Sequence, residues 1–589
     1  MIRTTCCVAL LLLSVVSSPL FAQEKPKEKV AIAPEVHIVI PSTNAFIEDL
    51  EYIINMTSKP KQIKVLKDYI QDVYLIGVDF TRPIRLDILL NKETYRKRIY
   101  LPIPTKGDLK TFRSENLAGF NIKTRLIRRS KYLYRLRDAA KITVGWMRWR
   151  DKYTVIGEKR EDVSLKLPKP LAEVAELLKL NYDVAIEGKN TPNGIEERHT
   201  QFSGTRKELL AALKRNEKKK ETEDDFALRK MLFTQQLNEL ERIYAEAEHL
   251  LIGWTTDSKK KQGELNLTLK PLSGTELEKS LKLLGTKPSY FVNIPKAKTS
   301  ILSARINFAL DEMRKKHILE TNKTLRKREK TKVDLLKEAS KESKTNQKKA
   351  WDLYFDMINA TVKTGLVDTF IDVHPSTKNG KQTMIGGIQS ADGTALIPQL
   401  ELFGKIHPDT KPELNTTTIG EVKIHKIQIV KSRHPEFVEL FGSETLLLGT
   451  SKNAIWYAAG ENALEELKTA INLVTQPKKE EEEKKDKENK KEEEKKVSKE
   501  TSLVDIQVKL NRWIKLIDQK RNHQADKTKA SSQLRKFALM AFANGQDDLS
   551  FQLNRVDDHV TGKLVVLPGV LRFVGEIIAD FSKEKLAEE

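Results

Sequence analysis

Four alternate residues in the second half of the chain carry the side chains best suited to chemistry: Asp368, Phe370, Asp372 and His374. On an extended strand such residues point to one face, with Cα atoms about 6.8 Å apart. Two carboxylates and an imidazole on that face can meet at one divalent cation or along one proton-transfer path. Asp368, Asp372 and His374 are therefore the candidate metal ligands. The competing expectation is an ordinary polar strand face, because Phe370 is out of place in a polar site. Other catalytic signatures are missing from the sequence. It contains no Gly-x-Ser-x-Gly and no His-Glu-x-x-His, and Pro375 and Asp557 stand where phosphate loops ending at Gly380-Lys381 and Gly562-Lys563 would need glycine. The expectation is a noncatalytic protein without a cofactor. The alternative is a secreted hydrolase-like or metal-dependent enzyme using the Asp368, Asp372 and His374 face.

A second constellation is cationic. The formal net charge is +22, and residues 61–160 alone hold 25 Lys and Arg against 10 Asp and Glu. Between 121 and 150 ten basic residues face one acid, Asp138. Strand alternation puts Arg148 and Arg150 on one face and Met147 and Trp149 on the other, and gives Lys131, Arg135 and Arg137 a common face. If these strands are neighbours, Lys123, Arg125, Arg128, Arg129, Lys131, Arg135, Arg137, Arg148 and Arg150 form one patch able to attract an anionic envelope polymer or lipid headgroups. Nucleic acid is the least expected partner of an exported chain. The competing expectation is a merely solubilising face, answered by acids such as Glu221, Glu223, Asp224 and Asp225.

Export is expected from residues 1–22. Arg3 precedes an apolar block from Cys6 to Val16, with Ala22 at the expected cleavage point, which is the pattern of a secretory signal peptide. The block is about half of what a membrane span requires. Both cysteines lie within it, so the exported chain, in periplasm or medium, has neither disulfide nor thiolate metal site.

The elements that must position these residues follow a recurring pattern of amphipathic helix, hairpin and helix. Phe233, Leu237, Leu240 and Tyr244 make one helical stripe, and Leu265, Leu267 and Leu269 alternate as a half-buried strand after it. Trp351 to Val362 followed by hairpin 366–373/383–388 repeats the order. A looser copy follows Trp513, with Phe537–Phe542 expected to pair with Leu549–Leu553. Leu75-Ile76-Gly77 echoes Leu251-Ile252-Gly253 near the start. The expected fold is α+β: two related lobes built from repeated helix-hairpin-helix units, mostly antiparallel sheets with helices on one face, and long charged helices. The expected divisions are a basic N-terminal lobe over 36–200, a helix plus hairpin-helix unit over 204–310, a charged helical arm over 311–349 that lengthens the molecule, a second lobe over 350–476, a charged low-complexity linker over 477–501 and a C-terminal unit over 502–589. The segments Leu366–His374, Met384–Thr394 with Gly386-Gly387 and Asp392-Gly393-Thr394, and Ile455–Gly460 resemble families of uncharacterised exported bacterial proteins. That resemblance implies export and an α+β fold, and supplies no catalytic residues.

Overall fold

The computed structural model of the protein describes residues 35–90, 95–216, 221–337, 339–376, 380–407, 410, 412–475, 500–514 and 529–585. The expected signal peptide lies outside them, as does the charged linker except for Glu500 and Thr501. The described residues form a mixed structure of helices and antiparallel sheet.

Along the chain the first ten strands are β1 (Glu35–Ile40), β2 (Ile84–Leu90), β3 (Tyr95–Pro102), β4 (Lys123–Leu126), β5 (Leu133–Arg137), β6 (Thr143–Arg150), β7 (Tyr153–Gly157), β8 (Val184–Lys189), β9 (Ala247–Asp257) and β10 (Gln262–Pro271). The second ten are β11 (Leu302–Ala309), β12 (Leu366–Pro375), β13 (Gln382–Gln389), β14 (Glu413–Ile419), β15 (Val422–Gln428), β16 (Thr445–Thr450), β17 (Ala454–Ala459), β18 (Glu500–Lys509), β19 (Asp548–Val556) and β20 (His559–Val566). All pair antiparallel in one continuous sheet. Its spatial order is β4-β5-β6-β7-β3-β2-β1-β8-β9-β10-β20-β19-β18-β11-β12-β13-β17-β16-β15-β14.

Helices cover both faces of this sheet, where one had been expected. On one face Ile53 and Leu571, from helices Thr43–Asn55 and Pro568–Lys585, pack on Trp254, Leu549 and Leu564, while Leu277 and Leu281 of helix Glu276–Leu283 pack on Leu269, Phe308 and Val560. On the other, Val174 and Leu177 meet Val39, Ala185 and Leu251, and Leu467 and Ile471 of helix Ala463–Thr475 meet Phe370 and Trp456. A strand in the middle of so wide a sheet must bury both sides, and each apolar side needs a cover.

Two further expectations change. Phe537–Phe542 ends the helix Lys529–Phe542, and the C-terminal hairpin is β19–β20; the run Phe-Ala-Leu-Met-Ala-Phe has no β-branched residue and holds the strong helix formers Ala, Leu and Met. The echo at Leu75-Ile76-Gly77 is a turn, with Gly77 at φ 81°, whereas Leu251-Ile252-Gly253 lies inside β9. The charged region is packed on its neighbours. Helices Glu312–Asp334 and Lys341–Lys363 fold back on each other through Arg326 to Asp352 and Asn322 to Asn359, and the first leans on helix Glu223–Glu246 through Gln235 to Thr321 and Arg314 to Glu239.

Candidate functional site

Alternation on β12 puts Asp368, Phe370, Asp372 and His374 on one face, but each polar side chain has its own partner. Asp368 accepts from Ser289 Oγ at 2.7 Å and Tyr290 N at 2.6 Å, and burial pushes its carboxyl above the ordinary value. These bonds fasten the loop that carries Phe291 onto the rings of Phe370 and Trp456, at centroid distances of 4.9 and 5.3 Å. Asp372 pairs with Arg305 of β11, whose guanidinium lies over Phe370. His374 Nε2 is 2.8 Å from Glu466 on helix Ala463–Thr475, and that carboxylate raises the imidazole above 6.5. The three side chains thus fasten three different elements around a fully buried ring and do not converge. Among the described residues no group of three or more His, Cys, Asp or Glu is arranged to hold a metal ion.

The cationic candidates divide into two sets. Arg148 is buried and donates through Nε to Val163 O at 2.7 Å and through Nη1 to Lys131 O at 3.2 Å. Arg150 donates to Leu167 O at 2.9 Å and Pro168 O at 3.1 Å. Arg96 pairs with Asp162 at 2.7 Å, and Arg85 reaches Pro170 O at 2.8 Å. These four arginines hold segment 160–173 as a strap across the sheet, and three of them, Arg148, Arg150 and Arg85, satisfy carbonyls that irregular backbone would otherwise bury unpaired. Below the strap, Arg85, Asp87 and His37 are buried together, His37 Nδ1 lying 2.8 Å from Asp87. Burial alone would raise Asp87; the His37 hydrogen bond and the Arg85 charge outweigh it and hold the carboxyl below the ordinary value.

The second set lies open at the outer edge. Lys123 stands directly opposite Arg137, and Arg125 opposite Arg135, on strands β4 and β5; Trp146 of β6 is opposite Arg135. Directly opposed residues share a face, so all five lie side by side. Arg135 lies 5.0 Å and Arg160 of the strap 6.0 Å from the Trp146 ring centre. Arg128, Arg129 and Lys131 are exposed in the turn joining β4 to β5. Among the described residues no carboxylate pairs with any of Lys123, Arg125, Arg128, Arg129, Lys131, Arg135, Arg137 or Arg160. The acids that composition offered as counter-charges are spent elsewhere, Glu221 on Arg229 at 2.7 Å and Asp225 on Arg328 at 2.8 Å.

A feature without any sequence signal is a cleft of about 720 Å³ between helices Ile195–Ala212, Glu223–Glu246 and Glu276–Leu283 and the start of Glu312–Asp334. There Arg206 grips Glu241, Glu241 lies 3.0 Å from His199 Nδ1, and Glu246 accepts from Leu277 N at 2.6 Å. His199 and its partners come from separate helices at no characteristic spacing, so no motif announces them. No protein-family model matches the chain, and no curated protein or solved structure matches it.

Proposed function

We propose that this is an exported, noncatalytic binding or structural protein of the cell envelope, built from two related lobes, whose N-terminal sheet edge contacts an anionic polymer or lipid surface. The observation that carries the binding reading is the set of cations at β4 and β5. Like charges directly opposite on adjacent strands cost about 0.2–1 kcal/mol per pair, and two such pairs stand side by side with no carboxylate among the described residues to relieve them. An external polyanion supplies the missing countercharge.

The two-lobe reading is supported by the strand order. From one edge it runs 4-5-6-7-3-2-1-8-9-10, and from the other 14-15-16-17-13-12-11-18-19-20, so each number in one half has its counterpart ten higher. The halves meet where β10 pairs with β20. Each of the strands β1, β8, β11 and β18 is followed by helical segments and then a hairpin, which gives four units. No described helix is long and apolar enough to cross a membrane.

The test is retention at low salt on dextran sulfate beads and on phosphatidylglycerol vesicles. Wild type is expected to bind at least one of them and to be released as salt screens the contact, while the quadruple variant Lys123→Ser, Arg125→Ser, Arg135→Ser, Arg137→Ser passes through. Equal behaviour of the two proteins on both surfaces would refute the reading.

A further inference from the structure

The shape of the cationic edge says which anionic partner it suits. The strap rests on β7 at Gly157, where an added Cβ would come within 2.5 Å of Asp162 Cβ. Gly157 is directly opposite Trp146, which is opposite Arg135, which is opposite Arg125. Outward from the strap the sheet is therefore a shelf three strands wide, about 10 Å from β6 to β4. Its floor is Trp146, Arg135 and Arg125, with Arg137 and Lys123 one rung along, about 6.8 Å away. Its inner wall is the strap, from which Arg160 reaches over Trp146.

Two observations separate a chain-like partner from a bilayer. Arg135 and Arg137 are only partly exposed, and their Nε atoms are buried without a partner, so the guanidiniums lie along the floor of the shelf. A flat bilayer meets protruding groups first, whereas a narrow polymer can lie on the floor. A membrane-surface site also joins its cations to an exposed apolar face that enters the acyl boundary. Here the exposed apolar residue of the edge strand, Leu126, is opposite Tyr134 and so belongs to the other face of the sheet.

We infer that the shelf binds a linear polysaccharide bearing carboxylates, with Arg125, Arg135 and Arg137 paired to successive acid groups and Trp146, flanked by Arg135 and Arg160, holding the Arg135 guanidinium in place. The inference rests on the reading of the β4–β5 edge as an anion-binding surface. Guanidinium suits it because its planar donors match a carboxylate in bidentate fashion. An indole beside it accepts the guanidinium on its own face and so keeps its donors oriented. Arg148 and Arg150, which hold the strap, make no contact with the polymer.

The experiment compares full-length protein on polygalacturonate and on phosphatidylglycerol vesicles at low salt. Four variants accompany wild type: Arg125→Ser/Arg135→Ser, Arg128→Ser/Arg129→Ser, Trp146→Ala and Trp146→Phe, the last keeping the packing if Trp146→Ala does not fold. The expected result is firm binding to polygalacturonate and weaker binding to vesicles. Affinity for the polymer should fall about tenfold or more in the shelf pair, and at most about threefold in the turn pair of equal charge. Replacing Trp146 should lower it with no change in its salt dependence, because no charge is removed. Vesicle binding as strong as polymer binding, lost in the shelf pair, would overturn the polysaccharide assignment and leave the anionic-surface reading standing. Equal losses in the shelf and turn pairs, or full affinity without Trp146, would also overturn it. Failure to bind either ligand would bring down both.

Discussion

The same sheet face is filled in opposite ways in the two halves of the molecule. Near the N-terminal end the strap covers Arg85, Asp87 and His37, all buried among Arg96, Arg98 and Tyr100. In the second half helix Ala463–Thr475 and the loop carrying Phe291 cover Phe370 and Trp456. In the first region arginines reach out to the carbonyls of the cover; in the second, Asp368 accepts from the cover's N–H and hydroxyl groups and His374 joins Glu466. Similar strand order therefore leaves the chemistry of the covered face open. It also leaves the edges different. β4 ends the sheet in a row of cations, whereas β14 ends it in Leu-Asn-Thr-Thr-Thr with a register shift after Glu413 and Asn415 at φ 52°. Charge and bulge are two of the ways of blunting an edge against pairing with another chain, and the partner proposed above concerns the charged edge alone.

The largest expected effect separates the two buried regions. Arg85→Met removes the close guanidinium partner of buried Asp87 and leaves it His37 and the more distant Arg98, 3.6 Å away, which should cost about 3–5 kcal/mol. Phe370→Leu shortens an apolar group among apolar neighbours and should cost about 1–2 kcal/mol. Denaturant midpoints of the two variants check this, and equal losses would remove the distinction between a charged and an aromatic core.

Acidity should sharpen the contrast within the second half. Burial, aided by the charge of Lys423, lowers the pKa of His425, whose Nδ1 accepts from Asn415 N at 3.1 Å beside the β14 bulge. Its contribution is present above 6.5 and is lost as pH falls through the lower value in the fold. His374 is shifted the other way by Glu466; its contribution is full below 6.5 and is lost as pH rises through the higher value. Melting temperatures followed from pH 5 to 8 should therefore show His425→Gln narrowing the acid-side loss and His374→Gln narrowing the alkaline-side loss, and a variant that leaves its own limb unchanged would contradict the assigned contact.

The smallest effect concerns the edge itself. Arg125→Ser or Arg137→Ser removes one like-charge pair and should raise stability by about 0.2–1 kcal/mol at low salt, with the gain fading as salt increases. A loss of stability instead would mean that these guanidiniums hold structure as Arg148 and Arg150 do.

Much of the local structure is legible in residue order. The hairpins β9–β10 and β12–β13 and the strands β5–β7 and β15–β17 are visible because alternating apolar residues are broken by short polar turns. The strands that join everything are not. β1, β8, β11 and β18 stand alone between helices or irregular segments, with no hairpin turn to mark them, and their partners lie far along the chain: β1 pairs with β8, β11 with β18. At the candidate sites, alternation placed Asp368, Asp372 and His374 on one face, and Lys123, Arg125, Arg135 and Arg137 on neighbouring strands. Their partners come from other elements, so spacing along one strand carried no information about them.

Residue order by itself therefore determined the α+β character, the excess of cations near the N-terminal end and the lack of known catalytic motifs, because these depend on composition and on periods of two to four residues. Tertiary structure decided that the hairpins belong to one sheet with covers on both faces. It turned Asp368, Asp372 and His374 into fasteners, and divided nine cationic candidates into those that hold a strap and those left facing solvent. A guanidinium paired with a carbonyl and one left facing solvent are the same residue in a sequence; they differ only in what the rest of the chain brings within hydrogen-bonding distance.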